Sequence, residues 1–263
     1  MRKPEQPGFV SSSYTCPSAG DARSLCGDIT SDLSLPAGAI YVLSCQTFVK
    51  AGVTLSISAG VTIYAAPKDA NGIAPALVVE RGGKLLAQGT AALPITFTAL
   101  NPEVASAEAA VTDTAASSTT TTLETRGKWG GLILLGNAPT SAATPKQIEG
   151  ITGKTYGGTD PSDSSGALSY VRVWHGGAVV GADNEINGIT FGGVGSGTVV
   201  DHCEVAFNLD DGFECADRRP NTNPRPCRGR PPRRASRRGT GPCPGSPCPS
   251  RTRRRRRRAP RGT

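Results

Sequence analysis

The chain has 263 residues and a net charge of +8, but that charge joins two different polymers: residues 1–216 hold 12 Lys and Arg against 20 Asp and Glu, a net −8, and residues 217–263 hold 17 Arg against one Asp, a net +16. An acidic body of about two hundred residues is ample for one domain with a real core, and its charge argues against nucleic acid or an anionic membrane as its target. No stretch is apolar for long enough to cross a bilayer as a helix, and none of the eight cysteines makes a C-x-x-C pair, which removes the commonest zinc frame.

Taken in order, residues 1–34 read as a leader or cap. Met1 to Tyr14 carries Arg2 and Lys3 with no apolar run behind them, so no signal peptide is visible. Either Met1 is an internal methionine of a longer precursor or the protein is cytosolic, and the cysteines favour the first. From residue 35 a strand pattern begins, and the alternation Val53, Leu55, Ile57, then Val61, Ile63, turns one face inward. The run Lys50 to Leu55 recurs as Arg81 to Leu86, with Pro67 to Pro75 as a surface loop between the copies. Leu77 to Glu80 and Ile95 to Leu100 complete that unit, Pro94 standing at a strand start where its missing N–H does no harm. Residues 101–126 are rich in Ala, Ser and Thr and lack apolar alternation, so they read as a long insertion on one face of the domain.

The segment from Gly127 to Glu214 holds short apolar runs, Leu132 to Leu135, Leu168 to Trp174, Ile189 to Phe191 and Val199 to Phe207, each bracketed by Gly, Asn or Asp. Asn187-Gly188 is the one strong hairpin signal. Aligning residues 166–176 with 198–208 puts Leu168 on Val200, Val173 on Val205 and Gly176 on Asn208. A strand repeated after about thirty residues, with Gly or Asn at its corners, means stacked coils around one continuous core. The fold class is therefore all-β, a solenoid over residues 35–216.

The succession GGLILLGNAP, IEG, YGG, NEINGITFGGVGSGT and NLDDGFE closely resembles a family of secreted or surface right-handed parallel β-helix proteins, pectin-lyase-like in fold, common in marine bacteria and often lipid-anchored or exported. The resemblance spans roughly residues 35 to 215. It implies a fold and an extracellular or cell-surface address, and it supplies no reaction. In an exported chain the N-terminal cysteines would pair across a cap loop, with Cys16 to Cys26 the first expectation and Cys26 to Cys45 the alternative; free buried thiols are the other reading. Residues 217–263 break the resemblance at once. Rich in Arg, Pro and Gly and free of Lys, Ile, Leu, Val and Phe, they are expected to be disordered and to come from a shifted frame or an intron read through.

Few residues suggest chemistry. Asp210 and Asp211 are adjacent carboxylates at a strand end, a pair that resembles one motif of the polygalacturonases, which share the β-helix; repulsion would separate their pKa values as acid and base roles require. The companion Asn-Thr-Asp and Arg-x-Lys motifs are absent, and His175-Gly-Gly precedes the pair instead of following it. A corner in which Asp and Asn cap their own backbone is the plainer reading. Asp160, Asp163, Asp183 and Glu185, with Asp210 and Asp211, are the oxygen ligands from which a Ca2+ site could be built, and no other cofactor is suggested. Among the aromatics Trp129, flanked by glycines, reads as core. Trp174, with Tyr170 and the outward-pointing Arg172, is the candidate glycan-binding group. The expected function is a monomeric, non-catalytic β-helix that binds polysaccharide or a cell-surface glycan. The alternative is a polysaccharide hydrolase or lyase using Asp210 and Asp211.

Overall fold

The computed structural model describes residues 24–100, 126–141, 145–181 and 184–216. Cys16, nearly all of the expected insertion at 101–126, and the tail at 217–263 lie outside them. Among the described residues all regular structure is strand, as the short apolar runs and their Gly and Asn punctuation require.

Two parallel sheets carry the fold. In the first, Leu33–Leu35, Thr54–Ile57, Lys84–Gln88, Gly166–Ser169 and Val199–Asp201 lie side by side in chain order. The second has two arms joined by the long strand Tyr41–Val49. One half of that strand leads to Thr62–Ala65, Ile95–Ala99, Val171–Trp174 and Glu204–Ala206. The other half leads to Leu77–Val79, Leu132–Leu135, Ile189–Gly192 and Phe213–Ala216. Successive coils visit the first sheet, the first arm and the second arm in the same order, and the chain is a parallel β-helix. Its core is a set of rows running from coil to coil, such as Ile57, Ala87, Leu168 and Val200, all nearly inaccessible.

The register confirms Leu168 on Val200 and Val173 on Val205. It corrects the other repeat by one residue, since Leu55 pairs with Leu85 and Thr54 with Lys84. A slip of one would turn every side chain to the opposite face, and the observed pairing sends Leu55 and Leu85 inward while Leu86 stays partly exposed. Asn187-Gly188 makes no hairpin of its own. It leads into the parallel strand Ile189–Gly192, and the antiparallel pair Val179–Gly181 with Asn184–Glu185 comes just before it.

Two corners of the last coils depart from the expected Gly and Asn. Tyr170, His175, His202 and Phe207 have φ of 50°, 62°, 50° and 53°, a left-handed conformation that costs an L-residue roughly 1–2 kcal/mol. They stack in pairs across coils, Tyr170 on His202 at 4.5 Å and His175 on Phe207 at 5.0 Å. Each ring pair contributes about 0.5–1.5 kcal/mol, which offsets part of the strain of its two residues.

Among the described residues Cys26 and Cys45 form a disulfide, which overturns the first expectation of Cys16 with Cys26 and bears out the alternative. Strand pairing already begins at Ser24, ahead of residue 35, and a register shift between Leu25 and Gly27 sets Cys26 beside Tyr41–Val49, with Cα atoms 4.9 Å apart. That separation lies inside the range a disulfide spans. Closing a loop of this length stabilises by about 3 kcal/mol, so Cys26→Ser with Cys45→Ser should lose about that much in urea unfolding, with an unchanged far-UV spectrum.

After Leu135 the chain leaves the coil and returns at Gly166. Part of this excursion folds over the outside of the second arm, where Ile148, Ile151 and Tyr156 pack with Val78, Ile133, Leu135 and Ile186 in a second apolar cluster. Lys154 ties it down, its Nζ 2.7 Å from Glu80 Oε1, which Lys50 also meets at 2.7 Å. Burial pushes the Glu80 carboxyl up, but the hydrogen bonds from Lys154 and Lys50 outweigh it and hold the group below its ordinary value.

Candidate functional site

On the first arm the period-two alternation sends Val171 and Val173 into the core and leaves Arg172 and Trp174 partly exposed outside. Register extends this outward face across coils. Thr62, Thr96, Arg172 and Glu204 form one row. In the next, Tyr64 pairs with Thr98, Trp174 with Ala206, and the ladder from Val173 and Phe97 brings Thr98 alongside Trp174. At about 4.8 Å per strand, Tyr64 and Trp174 stand roughly 9.6 Å apart on one face, with buried Thr98 between them.

Trp174 is held in place. Its Nε1 donates to Glu204 Oε1 at 2.8 Å, its ring meets Phe207 edge-on at 6.4 Å, and the Arg172 guanidinium lies 5.6 Å from its centroid. Beneath it, Trp129 is fully buried and donates Nε1–H to the Trp174 carbonyl at 2.8 Å. Tyr170 occupies the corner before the strand, stacked on His202, whose Nδ1 is 2.8 Å from Asp201 Oδ2. The candidate binding residues Tyr170, Arg172 and Trp174 therefore gather on one strand and its corner. Tyr64 and Glu204 complete the group. The alternation marked Tyr64 as outward-facing, but the pairing that brings Trp174 to it was not readable.

The candidate catalytic residues do not gather in the same way. His175 is buried against Phe207, whereas Asp210 and Asp211 are exposed on the turn that follows it. Asn208 organises that turn, Nδ2 donating to the carbonyls of Asp210 at 3.0 Å and Asp211 at 2.9 Å. This is the corner reading, with Asn as the capping side chain.

Of the calcium candidates, Asp160 and Asp163 share one turn, the Asp163 N–H donating to the Asp160 carbonyl at 3.3 Å. Asp160 Oδ1 accepts from Ser162 N at 2.9 Å and Ser162 Oγ at 2.6 Å, bonds that lower its pKa. Asp163 is buried, with Oδ1 accepting from Asn137 Nδ2 at 3.3 Å. Asp183 and the Glu185 side chain lie outside the description. Among the described residues no group of three or more His, Cys, Asp or Glu could hold a metal ion.

One acid escaped sequence reasoning altogether. Glu214 ends an outward row of the second arm, next to Thr190. Burial pushes its carboxyl above the ordinary 4.5, with the charges of Glu149 and Asp210 adding to this against hydrogen bonds from Asn187, at 2.8 Å, and Thr190. A raised folded-state pKa contributes stability that is fully present below 4.5 and is lost as pH rises through the folded value. Glu214→Gln should therefore melt above the parent at pH 7, and the two melting curves should converge near pH 4 in calorimetry.

Residues 27–111 and 104–216 match a family model described as a pectate-lyase like beta helix domain. No curated protein and no solved structure matches the chain.

Proposed function

The chain belongs to the pectate-lyase-like β-helix family, and from that premise we propose that it is a non-catalytic, exported or cell-surface protein that binds polysaccharide across the outer face of its first arm. The observation that carries this is the row in which Tyr64, Thr98 and Trp174 follow one another from coil to coil, with Arg172 and Glu204 in the row beside it. Aromatic faces spaced along the axis suit a polymer of stacked sugar rings, and hydrogen-bonding groups at their edges suit its hydroxyls. The Cys26–Cys45 disulfide is consistent with an oxidising compartment.

The test is retardation of the whole chain in native gels cast with a panel of polysaccharides, together with an assay for new reducing ends. Trp174→Ala should weaken binding about tenfold or more, as loss of an aromatic anchor does. Wild-type migration unaffected by every polysaccharide would remove the reading. The second reading, a hydrolase, draws on the raised Glu214 carboxyl with the charge of Asp210 nearby. Release of reducing ends that Glu214→Gln abolishes would decide for it.

A further inference from the structure

We propose that the bound glycan is uncharged, a hydroxyl-rich neutral polysaccharide and not a polyuronate, an inference that rests on the binding reading above. Arg172 is the one cation in the two outward rows, and the register puts Glu204 at the neighbouring position of the next strand, the strands being about 4.8 Å apart. Opposite charges at neighbouring cross-strand positions sum to zero and attract each other, so together they present no net charge to a ligand.

The Glu204 carboxylate is held at the edge of the platform, because Trp174 Nε1 donates to it at 2.8 Å. A uronate stacked on Trp174 would bring its own carboxylate against this anchored one. Residues 1–216 carry −8 overall, 12 cationic against 20 anionic side chains, which adds a longer-range repulsion of the same sign. For a neutral sugar the same groups are favourable. Glu204 accepts, Arg172 donates, and the Thr62 and Thr96 hydroxyls do either, so adjacent hydroxyls of a pyranose find both kinds of partner. Stacking on an aromatic face uses the apolar side of the ring and needs no charge.

The test uses the whole chain in affinity electrophoresis against galactomannan and mixed-linkage β-glucan as neutral probes, with polygalacturonate and alginate as anionic ones, at about 50 mM and about 500 mM NaCl, a range that shortens the screening length severalfold. The expected result is retardation by a neutral polymer with less than about a twofold change between the two salts, and no retardation by the uronates that Trp174→Ala removes, since the net +16 of residues 217–263 attracts polyanions by charge alone and independently of Trp174. Glu204→Gln keeps a hydrogen-bond acceptor for Trp174 but leaves the Arg172 charge unbalanced in the platform, so it should gain salt-sensitive binding to polygalacturonate over the parent. Preferential, salt-sensitive retardation of the wild type by a uronate polymer, lost in Trp174→Ala, would overturn the neutral assignment and leave the binding reading standing. Retardation by none of the four would overturn both. Circular dichroism of each variant, matching the parent, guards against loss of fold.

Discussion

Val173→Asp should yield no folded protein. Val173 is completely buried and pairs with Phe97 on one side and Val205 on the other, in the middle of the inward row of the first arm. An aspartate there would have to ionise without a partner or take up a proton in an apolar site, and either course costs at least about 4–5 kcal/mol, the range of the most damaging single substitutions. That is a large part of the 5–15 kcal/mol by which a domain is ordinarily stable. Arg172→Ala, one residue earlier and on the outer face, should shift the melting temperature little. Soluble expression and far-UV circular dichroism of the two variants check the assignment of faces; a cooperative melt of the Asp variant near that of the parent would show it to be wrong.

The second large effect is expected at Gly166, where the chain re-enters the solenoid after the excursion that follows Leu135. Its φ is +115°, and a Cβ built there would lie 2.1 Å from the Leu85 carbonyl oxygen and 2.7 Å from that residue's carbonyl carbon and nitrogen. Backbone of a neighbouring coil cannot move aside without opening the ladder between Gly166–Ser169 and Lys84–Gln88. Gly166→Ala should therefore cost about 4 kcal/mol or more, from strain in a region only Gly enters readily together with overpacking. Gly153→Ala is the control: φ is +73°, but no atom lies within 4 Å of the added carbon, so only the conformational part remains, about 1 kcal/mol. Urea unfolding of both variants measures the difference; equal effects would mean that the collision is relieved without loss.

The parallel fold was legible because each coil repeats one simple chemistry, alternating apolar residues closed by a turn, and two coils happen to follow each other without interruption. Leu168 over Val200 could be seen for that reason. Leu85 over Gly166 could not, since the residues between them include both the insertion at 101–126 and the excursion that ends at Gly166, and nothing in local pattern says how much chain to skip. The same gap hid the site. Trp174 and Arg172 were recognisable as an outward aromatic and an outward cation, but their neighbours Tyr64 and Thr96 come from coils on the far side of that interruption. The cysteine pairing depended on a shift of register at the edge of the first coil, which only the folded backbone reveals. Glu214 looked like one more polar residue after an Asp pair; its burial comes from Thr190, Asn187 and the elements packed around them.

The Cys26–Cys45 bond also gives the solenoid a direction under tension. Hydrogen bonds between coils run along the axis, so a load applied to residues 24 and 216 would strip the structure one coil at a time, as a thread unwinds from a spool, and would not shear it all at once. With Cys26 joined to Cys45 the residues between them are removed from the loaded path, and the first coil cannot unwind while the bond is intact. Among the described residues, rupture must then start at Val199–Asp201, Glu204–Ala206 and Phe213–Ala216, each paired there with a neighbour on one side only. In single-molecule extension the oxidised chain should lengthen from that end first, and reduction of the one bond should release its extra contour only as the final coil gives way.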